Sequence, residues 1–133
     1  MAGIENFPAI ASIQGNGYAT TLASGKHILI ADEPIDLGGT DKGPTPGDYL
    51  RMALASCTII TLRMYANRKE WNVDEIKVTV DTIQENTSTL FKRNIEIKGN
   101  LDDEQRKRML QIANACPVHK VLSQSIHIET QIH

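Results

Sequence analysis

The chain has 133 residues, a length that predicts a single domain over residues 1–133 able to bury its own core. Hydrophobic residues make up 41% and aromatic ones only 5%, so that core is expected to be aliphatic. The net charge of −2, with no block of basic residues, argues against nucleic acid or an anionic membrane surface as a partner.

At the start, Met1-Ala2-Gly3-Ile4-Glu5-Asn6-Phe7-Pro8 has neither a basic stretch nor a long apolar run. That pattern predicts no secretory leader and no membrane span, and makes the cytoplasm the default location. Gly17–Leu22 and His27–Ala31 are β-prone runs, and Ser24-Gly25 between them suits a hairpin turn. Asp32 to Pro44, rich in glycine and proline, reads as a loop.

A long helix follows. Thr45 fits the N-cap, Pro46 the first helical position and Asp48 the third, so Thr45-x-x-Asp48 forms a capping box with Asp in place of Glu. The helix is expected to run to Arg68–Glu70. Met52 to Leu62 carries no charge, and a helix apolar on every side is buried on every side. A domain this small does not surround a helix alone, which predicts a homodimer.

Asp74–Ile83 alternates, with Ile76, Val78 and Val80 on one face. Leu90–Lys98 alternates again, with Ile95 and Ile97 inward, and the two runs are expected to pair as an antiparallel hairpin. Asp102 to Ala115 reads as a second helix, capped by Asp102 with Gln105 at its third position and carrying Met109, Leu110, Ile112 and Ala113 as its apolar stripe. Pro117 starts a short third helix to Leu122. Ser125–Ile132 is expected to close the chain as a strand with Ile126, Ile128 and Ile132 inward. The order predicts an α+β fold with mainly antiparallel sheet.

The chemistry centres on two cysteines, Cys57 and Cys116, 59 positions apart. Cys116 precedes the helix-starting Pro117, so its sulfur meets unpaired backbone N–H groups and the positive end of the helix dipole, which favour a thiolate. His119 stands at the third helical position, within reach of that sulfur. The alternative is a small buried cap residue. Cys57 lies in the middle of an apolar helix, where burial raises its pKa and lowers its reactivity. Unless another group supports its charge, it reads first as a small core residue. Asp48 precedes Cys57 by nine residues, about 180° around the helix axis, so it can serve only a partner chain's Cys57 or cap its own helix. Arg63 abuts the apolar segment and could steady a thiolate or snorkel to solvent. His27, His127 and His133 have no ligand spacing. Two cysteines without a His/Cys cluster predict no metal site.

Gly43-Pro44-Thr45-Pro46-Gly47-Asp48-Tyr49-Leu50, followed by Ala53-Leu54-Ala55-Ser56-Cys57-Thr58, resembles the OsmC/Ohr family. Ala115-Cys116-Pro117-Val118 resembles that family's second cysteine block, and the order of elements agrees over essentially the whole chain. The resemblance implies antiparallel sheets packed on a long central helix in an intertwined homodimer. It implies reduction of organic hydroperoxides, with Cys57 attacking and Cys116 resolving, no bound cofactor and an external dithiol reductant. The chain departs from the family in two places. It has no arginine before Arg51, where peroxide-reducing members carry one, and Gly47 and Asp48 stand where they carry a glutamate. Arg63 is the candidate substitute for the missing cation. The alternative function is a redox-sensing or small-molecule-binding dimer with little turnover.

Overall fold

The computed structural model describes residues 7–133, so residues 1–6, on which most of the leader reading rests, lie outside the described residues. The chain divides at Met52/Ala53 into two compact units.

The first unit holds an antiparallel sheet of β1 (Ile10–Ser12), β2 (Thr20–Ser24) and β3 (His27–Ala31), in that spatial order. The expected hairpin joins β2 to β3, pairing Ser24 with His27. Gly25, at the first central position of the turn, has φ 58°, a left-handed value that a side chain would oppose. β1 is an addition to the sequence reading; three residues are too few for alternation to show. The loop after β3 is organised by Asp32, which is 2% exposed. Its carboxylate accepts hydrogen bonds from the Thr40 hydroxyl at 2.6 Å and from the backbone N–H groups of Glu33 at 2.7 Å and Lys42 at 3.1 Å. The Thr40 hydroxyl leads these donors in holding the acid at about 2. The same loop passes so close to its own backbone that a Cβ at Gly39 would lie 1.9 Å from the Glu33 carbonyl oxygen.

Helix α1 (Pro46–Lys69) begins as the capping box predicts. The Asp48 N–H donates to the Thr45 hydroxyl at 3.1 Å, and the Thr45 N–H donates to the Asp48 carboxylate at 3.0 Å. Its other end is a Schellman motif. The Trp71 N–H reaches the Ala66 carbonyl at 2.9 Å and the Glu70 N–H reaches that of Asn67 at 3.1 Å. The left-handed residue there is Glu70, with φ 58°, where glycine is usual. Arg68 and Lys69 in the last turn complement the helix dipole.

In the second unit, β4 (Val73–Gln84) and β5 (Thr89–Gly99) form the expected antiparallel ribbon. Helix α2 (Asp103–Ala113) carries the expected capping box between Asp102 and Gln105. Leu62, Tyr65 and Ala66 of α1 pack with Val73, Met109 and Ala113 to form the main core, with Ile76, Ile95 and Ile97 of the ribbon against them. The ribbon therefore covers the helices with one face, as period-two alternation requires. The architecture is α+β, with antiparallel sheets and a long helix.

Two expectations fail. Ser125–Ile132 forms no strand; the segment has no ladder partner among the described residues, and Ile126, Ile128 and Ile132 are exposed. Leu110 faces outward, one position off the stripe made by Met109, Ile112 and Ala113. As expected of a domain this small, α1 is not covered on every side within one chain. Met52, Ile60 and Met64, spaced by multiples of four, form an exposed apolar stripe.

Candidate active site

Cys57 on α1 and Cys116 meet in a second, smaller core with Leu54, against which Val80, Phe91, Val118 and Leu122 pack. Both cysteines are free and buried. Helix α3 (Pro117–Leu122) brings them together through its first turn. Cys116 is its N-cap, and its sulfur accepts the His119 N–H at 3.3 Å. The adjacent Val118 N–H serves the Cys57 sulfur. Two consecutive amides that the short helix cannot satisfy internally are thus given to two thiols.

Burial dominates the ionisation of Cys57 and pushes its thiol up. The Val118 N–H pulls the other way, the neighbouring Cys116 sulfur adds to the rise, and the Thr61 hydroxyl opposes it. Cys57 is therefore held as the neutral thiol near pH 7.

The cation beside this pair is Arg93, from β5. Its Nη1 donates to the Thr58 hydroxyl at 3.1 Å, and its Nη2 donates to the Asn114 side-chain oxygen at 2.9 Å. Nη2 also lies 3.1 Å from His119 Nδ1. Arginine can only donate, so Nδ1 accepts and the ring proton rests on Nε2. Burial, and then the Arg93 charge, keep His119 below the usual histidine range. Thr58 is fully buried, and its hydroxyl donates back to the Leu54 carbonyl at 2.7 Å. Its single proton is thereby committed. Toward Cys116 Sγ, 3.9 Å away, the hydroxyl is an acceptor for the S–H.

The other candidates lie in different settings. Asp48 is engaged in the Thr45 capping box and pairs with Arg51, and the Thr45 N–H leads in lowering its pKa. Arg63 donates to the Val73 carbonyl at 3.0 Å, linking α1 to the start of β4. His119 stands at the site, but its ring turns to Arg93 while its backbone N–H meets the sulfur. Arg93, Thr58 and Asn114 are additions to the sequence reading. One signal for Arg93 was present, since it shares strand parity with Phe91, Ile95 and Ile97 and so falls on the inward face. Among the described residues no cluster of three or more His, Cys, Asp or Glu is placed to hold a metal, and no helix is long and apolar enough to cross a membrane.

A groove of about 400 Å³ opens beside this small core, sharing Leu54, Phe91 and Leu122 with it, and neither cysteine lines it. Leu54, Phe91, Ile95, Leu110 and Leu122 are its apolar lining, and Thr89, Arg93, Asn114, His119 and Ser123 its polar lining.

The site thus belongs to an α+β chain with two free thiols gathered at one helix start. Residues 39–131 match the OsmC-like protein family, and the chain belongs to it. Among solved structures, it is similar to an OsmC-like protein from Mycoplasma pneumoniae, with TM-score 0.76 and 18% identity over 89% of this chain and 87% of that one. It is similar to an osmotic stress induced and detoxification response protein from Psychrobacter arcticus, with TM-score 0.69 and 25% identity over 90% and 89% of the two chains. The organic hydroperoxide resistance protein OhrB of Bacillus subtilis shares the fold, with TM-score 0.58 and 21% identity over 88% and 91%. No curated protein matches the chain.

Proposed function

We propose that the protein reduces organic hydroperoxides through Cys57 and Cys116. The observation that carries this reading is the packing of two free, buried cysteines in one small core, beside a groove that shares Leu54, Phe91 and Leu122 with it. In the first step the Cys57 sulfur attacks the terminal peroxide oxygen. The O–O bond breaks, the alcohol leaves with the thiol's proton, and Cys57 becomes a sulfenic acid. Cys116 then attacks that sulfur, forming a disulfide and releasing water. An external dithiol supplies two electrons to restore both thiols. The Val118 N–H and the Thr61 hydroxyl are the groups available to a Cys57 thiolate as it forms. Arg93 is the cation of the site, in place of the Arg63 suggested by the sequence.

A homodimer in the cytoplasm, without a bound cofactor, belongs to the same reading. The exposed stripe of Met52, Ile60 and Met64 and the exposed Ile126, Ile128 and Ile132 of the unpaired C-terminal segment support the dimer, because both offer apolar surface that a second copy would cover.

A second reading, a redox sensor with little turnover, is favoured by one observation: the sequence has no arginine before Arg51, where peroxide-reducing members carry one. The two separate in one assay. Reduced protein is given an alkyl hydroperoxide and a dithiol, beside Cys57→Ser and Cys116→Ser. Continuous peroxide loss that stops in Cys57→Ser supports the reductase. A single oxidation to the disulfide without turnover supports the sensor. Thiols still free afterward defeat both.

A further inference from the structure

Arg93 is half-buried on a face otherwise built from Phe91, Ile95 and Ile97, and its cross-strand partner is Val80. Its three hydrogen-bond partners, Thr58, Asn114 and His119, are all neutral. Among the described residues no carboxylate lies within ion-pair distance of it. A charge withdrawn from water is ordinarily matched by an opposite one. Here no matching charge is found among the described residues, and the guanidinium instead lines a groove that also carries five apolar side chains. Three of its five N–H donors are occupied, so two remain for a ligand. The groove's volume is in the range of small-molecule sites.

From this juxtaposition we infer that the groove binds an aliphatic monocarboxylate, with the carboxylate on Arg93 and the chain along Leu54, Phe91, Ile95 and Leu122. The ligand needs no peroxide bond. Its head group supplies the counter-charge that Arg93 lacks among the described residues, and its tail covers the apolar walls. A neutral molecule of the same length gains only the second part. Asn114 and the neutral His119 flank the head group. A bound carboxylate also offsets the repulsion that Arg93 exerts on a protonated His119 ring.

The test is calorimetric titration of the reduced, full-length protein at pH 7 with octanoate and, separately, with octanamide. No peroxide is present, so the outcome does not depend on the turnover proposed above. Octanoate is expected to bind about tenfold more tightly than octanamide, the discrimination of one charge-assisted hydrogen bond. Arg93→Met keeps length and suits an apolar strand face; it should abolish the preference, chiefly by weakening octanoate binding. Arg93→Lys should retain most of the preference. On adding octanoate, the His119 ring resonances should move in the wild type and not in Arg93→Met. Equal affinity for the two probes, no binding of octanoate, or an undiminished preference in Arg93→Met would each overturn the inference.

Discussion

The Arg93 guanidinium donates to the buried hydroxyl of Thr58 at 3.1 Å, and so reaches, through one oxygen, the atom that faces Cys116. The hydroxyl gives its proton to the Leu54 carbonyl and uses its two lone pairs on Arg93 and the Cys116 thiol. Thr58→Val keeps the shape and removes both acceptors. Urea unfolding should show a loss of about 1–3 kcal/mol, because a part-buried arginine N–H is left unpaired. Thr58→Ser should recover most of it. Equal stability of the valine variant would mean that the hydroxyl contributes nothing net.

Cys57 should react slowly at neutral pH. Burial raises its thiol above the ordinary 9.0, so the thiolate fraction grows only as pH climbs past that value. Iodoacetamide labelling, followed at Cys57 by mass spectrometry, should accelerate through pH 9 and still be rising beyond it. The same shift has a stability consequence. The folded state holds this proton more tightly than the unfolded state, so the contribution is complete below pH 9 and fades as pH rises through the folded value. A labelling rate that levels off below pH 9 would contradict the assignment.

Asp32 works in the opposite direction. Its folded pKa is about 2 against an ordinary 3.8, because the carboxylate is the shared acceptor of its loop. The stability it supplies is present above 3.8 and is lost as pH falls toward 2. Acid unfolding monitored by circular dichroism should therefore show a transition in that window, which Asp32→Asn makes shallower. An unchanged acid profile in the asparagine variant would remove Asp32 from the account.

Helix α1 ends on a residue of the wrong kind for its conformation. Glu70 takes the left-handed turn of the Schellman motif with a Cβ in place. A left-handed L-residue is strained by about 1–2 kcal/mol, part of which glycine returns through its greater freedom in the unfolded chain. Glu70→Gly should thus stabilise the protein by about 0.5–1 kcal/mol in thermal or urea unfolding. A destabilised variant would show that the Glu70 side chain contributes more than its strain.

For the homodimer, the exposed stripe on α1 gives a direct test. Ile60 is 45% exposed, so a charge there is tolerable in a single chain and disruptive in an interface. Ile60→Glu should convert a dimer to a folded monomer by sedimentation. If the variant sediments as the wild type does, the stripe lies outside any interface.

Much of this arrangement was legible in the sequence because it is local. Both capping boxes, the proline start after Cys116 and the alternation of β4 and β5 depend on residues a few positions apart. What the sequence concealed depends on contacts between distant elements. Nothing near Cys57 announces Cys116, and nothing near Thr58 announces Arg93 35 residues later. The alternation of β5 was read through its isoleucines alone, although Arg93 keeps the same parity. Ser125–Ile132 shows the converse error. Its alternation is real, but a strand exists only where a neighbour completes its ladder.

The sulfur of Cys116 has two employments, since it opens helix α3 as well as carrying a thiol. Mutational logic must respect this. Cys116→Ala removes the acceptor along with the nucleophile, so any loss it causes mixes chemistry with a frayed helix. Cys116→Ser replaces one N-cap acceptor with a better one. The serine variant therefore silences the thiol while leaving the Val118 and His119 amides aimed as before, and it is the replacement that separates reactivity from architecture.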